Sequence, residues 1–360
     1  MNIMFCIGSL GKGGAERVVA NLCNYLSEEN NVSIAMTKKN IQYNIKKNIK
    51  LFFLNKSNSK NFIKKNILML FRLKQVISSS KPDVIICFLK EPTYRVLFLK
   101  FLCLIKRNIK VIISVRNNPN IIYEKFFDKL LMKILYNKAN FFIFQTQDAK
   151  EYFSKNIQSK SIIIPNPINP DFVCKPYTGT REKSIVTVGR LVEQKNQKLL
   201  IDAFYEIQKE NPEYVLRIYG EGPLKDKLCR YCNSLKIDNK VFFMGVVDNL
   251  KEEIYKSGIF VLTSDYEGMP NALMEAMAMG LPCISTDCPI GGPKFLIKNN
   301  LNGILFPVGN KDKLIENLKL LILDKSYASA IGNEANKIIK TLNPEKINQE
   351  WKKNIYNLIN

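Results

Sequence analysis

Histidine occurs nowhere in the 360 residues. Its absence removes the side chain that most often works as a general base near neutral pH, and with it the commonest metal ligand. Acidic residues are scarce in the first half: positions 1–175 hold 10 Asp+Glu against 29 Lys+Arg, whereas 176–360 hold 22 against 25. The formal charge of +22 therefore divides as +19 and +3. Long apolar runs are missing too, and none reaches the ~18 uncharged residues of a membrane-crossing helix. Met1-Asn2-Ile3 leads straight into a strand-like stretch, without the basic start, apolar run and cleavage site of a secretory leader. Nine cysteines, scattered and odd in number, fit reduced thiols of a cytoplasmic protein better than a disulfide framework. Cys229 and Cys232 form a C-x-x-C on a helix expected over Leu224 to Leu235. With no second pair and no histidine, core packing explains them better than zinc or redox chemistry.

What is present reads as ordinary globular sequence, 46% apolar and 24% charged, and the length suggests two domains. Short apolar runs alternate with helix-length segments. Asn2–Ile7, Val32–Met36, Asp83–Phe88, Lys110–Ser114, Phe141–Gln145 and Ser161–Ile164 read as strands in the first half. Ser184–Val188, Tyr214–Tyr219, Val241–Met244, Ile259–Leu262, Pro282–Ser285 and Gly303–Leu305 do so in the second. Continuous rather than alternating apolar runs mark parallel strands buried on both faces, so the fold class is α/β, with doubly wound sheets and ligands at the carboxyl ends of the strands. Pro165, Pro167, Pro170 and Pro176 mark 166–180 as a linker. The expected layout is a domain over 1–165, a second over 181–343 facing it across a cleft, and a helix over 344–360 with Pro344 at its first turn, packing back on the first domain.

Three motifs carry chemistry. Gly8-Ser-Leu-Gly11-Lys-Gly13-Gly14-Ala-Glu16-Arg17 follows the first strand and opens a helix, where glycines let backbone N–H groups approach an anion. Its spacing is not G-x-G-x-x-G, and the second strand ends in Met36-Thr37-Lys38-Lys39 without an acid for a ribose, which argues against a nicotinamide cofactor. Gly189-Arg190-Leu191-Val192-Glu193-Gln194-Lys195-Asn196 sets two cations five residues apart between a strand end and a helix start, as a diphosphate requires; a solvated turn is the plainer alternative. Asp265-Tyr266-Glu267-Gly268-Met269-Pro270-Asn271-Ala272-Leu273-Met274-Glu275 puts Glu267 just past a strand and Glu275 about one helical turn in. There Glu275 points to the mouth and can accept hydrogen bonds from vicinal hydroxyls. Asp265 and Glu267 also have the spacing of an acid-x-acid metal pair.

These motifs, in this order, resemble the family 4 glycosyltransferases over nearly the whole chain: the Gly-Gly-Ala-Glu-Arg start, Arg190 and Lys195, Tyr219-Gly220-Glu221-Gly222-Pro223-Leu224, and above all Glu267-x7-Glu275. The resemblance implies the GT-B fold of two Rossmann-like domains and transfer from a nucleotide diphosphate sugar with retention of configuration. It implies that Arg190 and Lys195 hold the pyrophosphate, Glu275 the ribose, and Glu267 the transferred sugar. Gly13, Gly14, Gly220, Gly268, Met269, Pro270 and Asn271 would complete the donor site, with Gly245 and Val246 near the base. No cofactor or metal is expected, because fixed cations and helix termini can stabilise the leaving phosphate, which itself takes the acceptor proton. Many members place a histidine after a strand of the first domain; here Ser114-Val115-Arg116-Asn117-Asn118-Pro119 stands in that place, so Arg116, Asn117 and Glu16 are the candidates on the sugar and acceptor side. Pro270 lacks an N–H where glycine is common.

The basic first half points to an anionic partner. Phe62–Lys74 and Phe126–Leu135 mix apolar stripes with cations, as interfacial helices do, although helices covering a sheet also have one apolar face. The expected partners are a nucleotide diphosphate sugar (UDP-linked first, GDP-mannose second), a lipid-linked or saccharide acceptor of bacterial envelope polysaccharide, lipopolysaccharide or capsule assembly, and an anionic membrane surface on the cytoplasmic side. Rival readings are a nucleotide-sugar epimerase, disfavoured by the missing histidine, and a nucleic-acid-binding protein, for which no module is recognisable.

Overall fold

The computed structural model describes residues 1–11, 13–55 and 61–359, so Lys12 of the glycine loop lies outside the described residues, as does the side chain of Phe62. The chain forms two compact units, residues 1–167 with 345–360, and 168–344.

The first unit is built on β1 (Asn2–Ile7), β2 (Asn31–Met36), β3 (Lys50–Phe53), β4 (Val84–Phe88), β5 (Lys110–Ser114), β6 (Phe141–Phe144) and β7 (Ser161–Ile163), all parallel in the order β3-β2-β1-β4-β5-β6-β7. Five of β1's six residues and all of β4 are buried. These central strands are covered on both faces, which is why they read as unbroken apolar runs. The edge strand β3 was not expected from the sequence. It pairs only with β2, from Ser33 opposite Lys50 to Met36 opposite Phe53, and none of its residues is fully buried.

The second unit carries β8 (Ser184–Val188), β9 (Val215–Tyr219), β10 (Val241–Gly245), β11 (Ile259–Leu262), β12 (Cys283–Thr286) and β13 (Ile304–Phe306) in the order β10-β9-β8-β11-β12-β13. In both sheets the order reverses beside the first strand, between β1 and β4 and between β8 and β11. In such sheets the loops leaving those two strands diverge, opening a crevice at the carboxyl edge that ligands fill.

The proline-rich segment 166–180 is not a free connection. Ile168 and Phe172 are buried in the second unit's core, and the Ile168 N–H donates to the Leu342 carbonyl at 3.0 Å. Asn336 and Tyr255 donate to the carbonyls of Cys174 and Lys175, both at 2.9 Å. Prolines keep this stretch out of helix but do not stop it packing, and side chains of the unit it crosses satisfy its carbonyls.

The helix Pro344–Ile359 belongs to the first unit. Ile347, Trp351 and Ile355, at i, i+4 and i+8, enter its core, and Trp351 stacks on Phe88 at 5.8 Å. Counted by unit, the charge asymmetry is sharper than by halves: residues 1–167 with 345–360 hold 31 Lys+Arg against 11 Asp+Glu, and 168–344 hold 23 against 21. Replacing Trp351 with alanine should destabilise the first unit by ~3–5 kcal/mol, the usual cost of deleting a buried aromatic ring. Urea unfolding followed by circular dichroism would measure it, and an unchanged midpoint would show that the helix does not hold this unit together.

Candidate functional site

The second unit's carboxyl edge gathers five loops. After β8 the chain runs through a short 3₁₀ turn, Glu193–Lys195, into the helix Gln197–Glu210. Asn196 makes the transition in the left-handed conformation (φ 44°), and its side chain caps the helix by accepting from the Leu199 N–H. The same side chain donates to Asp265 Oδ1 at 2.9 Å. Asp265 in turn donates its N–H to the Gln194 carbonyl at 2.9 Å, and Gln194 donates to the Tyr266 carbonyl at 2.8 Å. The buried Thr263 hydroxyl is within 3.0 Å of the Lys195 and Asn196 carbonyls. The loop after β8 is thus laced to the loop after β11, across the point where the strand order reverses.

That lacing brings Lys195 and Glu267 together. The Lys195 ammonium pairs with Glu267 Oε1, with side-chain exposures of 16% and 8%. Ser264 donates to the same oxygen at 2.7 Å, and the Thr286 hydroxyl fixes Ser264 by donating to its carbonyl at 2.6 Å. Glu267 also bears on a neighbour: burial first, and then the Glu267 charge, push the Cys288 thiol up to about 12. A carboxylate this enclosed is tolerated because its charge is paired and hydrogen-bonded. Asp265 and Glu267 are therefore engaged by Asn196 and Lys195 respectively, and among the described residues no three His, Cys, Asp or Glu side chains are grouped to hold a metal.

Beyond Pro270 the helix Asn271–Ala278 buries Leu273, Met274 and Met277 completely, and Glu275, still 6% accessible, stands in that buried run. Arg190 is exposed, its loop fixed by Gln197, which donates to the Arg190 carbonyl at 2.9 Å. The loops after β9 and β10 meet through the Gly220 N–H and the Gly245 carbonyl at 2.7 Å. Gly220 (φ +125°) could not be replaced without strain, because a Cβ there would lie 2.1 Å from the Gly189 carbonyl oxygen. Val246 is exposed beside Gly245.

Sequence reasoning missed the loop after β12. A Cβ on Gly292 would fall 1.8 Å from the Gly268 carbonyl oxygen, so this loop supports the backbone between Glu267 and Glu275. Ile290, β-branched, takes φ 73° just before Gly291 at φ 67°, a strained conformation of the sort that collects at functional sites. The available signal was Gly291-Gly292-Pro293 in the loop that follows a strand, with proline in the first turn of the next helix.

The candidates of the first unit look different. Gly13 N-caps the helix Gly14–Leu26 without a side-chain bond, and the Glu16 carboxylate folds back so closely that a Cβ on Gly13 would meet Glu16 Oε2 at 2.1 Å. Glu16 thus sets its negative charge at the positive end of its own helix. Arg116 does not reach outward either. Its Nε donates to Ser114 Oγ at 2.6 Å and its Nη1 to Asn166 Oδ1 at 2.8 Å. Its guanidinium carbon lies 5.2 Å from the ring centres of both Phe88 and Trp351. Burial pushes it down to about 9. Arg116 thus braces the sheet against the C-terminal helix, its Nη2 buried without a hydrogen-bond partner among the described residues, and Asn117 beside it accepts from the Asn118 N–H at 2.8 Å.

Residues 175–354 match the model of the glycosyl transferases group 1 family, and 12–172 match that of Glycosyltransferase Family 4. The chain belongs to the group 1 glycosyltransferases. Among the curated members similar to it is an N-acetylgalactosamine-N,N'-diacetylbacillosaminyl-diphospho-undecaprenol 4-alpha-N-acetylgalactosaminyltransferase of Campylobacter jejuni, 28% identical over 95% of both chains. Similar solved folds are HepE of Anabaena in complex with UDP (TM-score 0.81, 16% identity, 99% of this chain and 100% of that one) and the lipopolysaccharide outer core galactosyltransferase WaaB in its apo form (TM-score 0.78, 21%, 99% of both). This glycosyltransferase has the GT-B fold. The Cys229–Cys232 pair lies on the helix Lys225–Ser234, with Cys232 in the core and its thiol pushed up to about 12, mainly by burial.

Replacing Lys195 with methionine should destabilise this glycosyltransferase by ~3–5 kcal/mol, since it strands a buried carboxylate. Adding Glu267→Gln should restore much of that loss. Urea titrations of both variants check this; a double variant no more stable than the single one would rule out the pair as the cause.

Proposed function

We propose that this enzyme transfers a hexose or N-acetylhexosamine from a UDP-sugar to a lipid-linked or saccharide acceptor of envelope polysaccharide or glycolipid assembly, retaining the anomeric configuration and using no metal ion. The observation that carries the reading is the Lys195–Glu267 pair at the point where the strand order reverses. A donor diphosphate in that crevice is a stronger partner for Lys195 than a single carboxylate, and Arg190 stands free at the rim to take a second phosphate. As Lys195 turns to the diphosphate, Glu267 is released to accept hydrogen bonds from the transferred sugar, and Glu275 is in reach of ribose hydroxyls. The charge leaving on the diphosphate is then met by two cations, Lys195 and Arg190. A chain with no histidine suits a mechanism in which the departing phosphate oxygen takes the acceptor proton.

The relatives support the choice of substrates. The name of the Campylobacter jejuni enzyme specifies a diphospho-undecaprenol acceptor and an N-acetylgalactosaminyl group, and HepE was solved with UDP and with UDP-glucose. GDP-mannose is the alternative donor. The excess of 20 positive charges on the first unit would draw the enzyme to the anionic cytoplasmic face of the membrane that holds such lipids.

Calorimetric titration with nucleotides tests the donor reading. UDP should bind more tightly than GDP. Arg190→Ala should lose ~1.5–3 kcal/mol, roughly 10- to 150-fold, in UDP affinity while uridine binding is unchanged. Transfer from UDP-sugars should persist in EDTA. An Arg190→Ala protein that binds UDP as the wild type does, or activity that needs added Mg²⁺ or Mn²⁺, would refute this assignment.

A further inference from the structure

Donor chemistry leaves one large surface unexplained. In the first unit, right-handed crossovers carry three successive helices, Phe62–Ser80, Lys90–Phe101 and Phe126–Leu135, onto one side of the sheet, and the middle helix packs against both others. A helix that covers a sheet turns an apolar stripe inward and a polar one outward. Phe62–Ser80 does the first with Met69, Leu73 and Ile77, but its outward stripe is also apolar: Ile63, Ile67 and Phe71, at i, i+4 and i+8, are 70%, 48% and 62% exposed. Phe126–Leu135 buries only Leu135. Phe126 and Phe127 are 81% and 67% exposed, and Leu130 and Ile134 continue the stripe along the helix. Phe98, Phe101 and Leu104, near the end of the middle helix, are exposed as well, and the Lys138 ammonium lies 5.6 Å from the Phe101 ring, joining that end to the third helix.

Single exposed apolar side chains are ordinary, but a contiguous set rimmed by polar groups marks an interaction surface. The rim is cationic. Exposed Lys64 flanks the first stripe, exposed Lys129 and Lys133 alternate with Leu130 and Ile134, and exposed Lys106 and Arg107 follow Leu104. Residues 61–138 hold 16 Lys+Arg against 4 Asp+Glu, and one of those acids, Asp128, is paired with Lys90 at 3.0 Å. Arg72 is held back from the rim by its bond to the Leu54 carbonyl at 3.0 Å.

We propose that this three-helix face docks on a bilayer containing anionic lipid, with Phe126, Phe127, Phe71 and Ile63 entering the boundary between headgroups and acyl chains while Lys64, Lys129 and Lys133 meet the headgroups. Charge complementarity selects the occupant: bare cations around exposed aromatic rings match anionic headgroups over hydrocarbon. The inference deepens the reading of a lipid-linked acceptor and rests on it for its purpose. It differs from adsorption by charge alone, because insertion leaves a component that salt does not screen.

The test uses the full chain and vesicles of phosphatidylcholine, alone or mixed with phosphatidylglycerol, at about 0.1 M and about 1 M salt, where electrostatic reach falls from ~10 Å to ~3 Å. The wild type should sediment with mixed vesicles and keep part of that binding in high salt. Phe126→Ser/Phe127→Ser should bind about tenfold or more weakly and lose the salt-resistant part entirely. Lys129→Gln/Lys133→Gln should weaken the preference for anionic lipid and keep the salt-resistant part. An unchanged melting shift with UDP in each variant shows the fold intact. Vesicle binding unaffected by the phenylalanine changes, or no vesicle binding by the wild type, overturns the proposal. So does a wild-type dimer in light scattering that the same changes dissociate, which would make the face a contact between copies. Intact vesicle binding without transfer to a short-chain lipid-linked acceptor analogue would count against the lipid-linked acceptor and leave the docking surface standing.

Discussion

The second unit of this enzyme depends on one buried ion pair. Lys195 and Glu267 come from loops 72 residues apart, and neither charge could be held so far from water without the other. The glycine contacts of Gly220 and Gly292, the left-handed turn at Asn196 and the hydrogen bonds of Thr263, Ser264 and Thr286 all hold the two loops in the register that the pair needs. The pair is stable without ligand because the two charges cancel, and in the function proposed here it receives a diphosphate because the substrate displaces the carboxylate from Lys195.

The two units divide the remaining physics between them. The second is almost electrically balanced and concentrates its polar groups at the carboxyl edge of one sheet. The first carries nearly all the net charge, and its exposed helices carry apolar stripes. In the function proposed here, a donor that is small, soluble and doubly anionic asks for a few fixed groups, whereas an acceptor on a lipid asks for a broad surface. The C-terminal helix serves the first unit through Trp351 and Phe88, with Arg116 as a cationic peg against both rings.

Much of this was legible in the sequence because burial leaves a plain trace. Strands covered on both faces appear as apolar runs, so β1, β4, β8 and β11 were found nearly to the residue, and the spacing of Glu267 and Glu275 led to two buried carboxylates, one just past β11 and one in the helix Asn271–Ala278. β3 was missed because an edge strand of four half-exposed residues leaves no such run. Prolines at 165–176 gave extended backbone but not whether it packs, so a segment with Ile168 and Phe172 in the core was read as a linker. For Arg116 and Glu16 the sequence shows a side chain's charge but not its partners: in the structure one is bonded to Ser114 and Asn166, and the other lies over its own helix start. The outward stripe of Phe126–Leu135 could be told from an ordinary sheet-covering helix only by measuring which face is exposed.

In the proposed mechanism the donor diphosphate replaces Glu267 as the partner of Lys195. The UDP affinity of Glu267→Gln, set beside its transfer rate, decides whether this exchange occurs. If the carboxylate competes with the diphosphate, the variant should bind UDP several-fold more tightly than the wild type while transferring sugar at least ~100-fold more slowly, because the group facing the sugar is lost. UDP binding that weakens in step with transfer would instead mean that Glu267 supports the nucleotide rather than competing with it, and would refute the exchange.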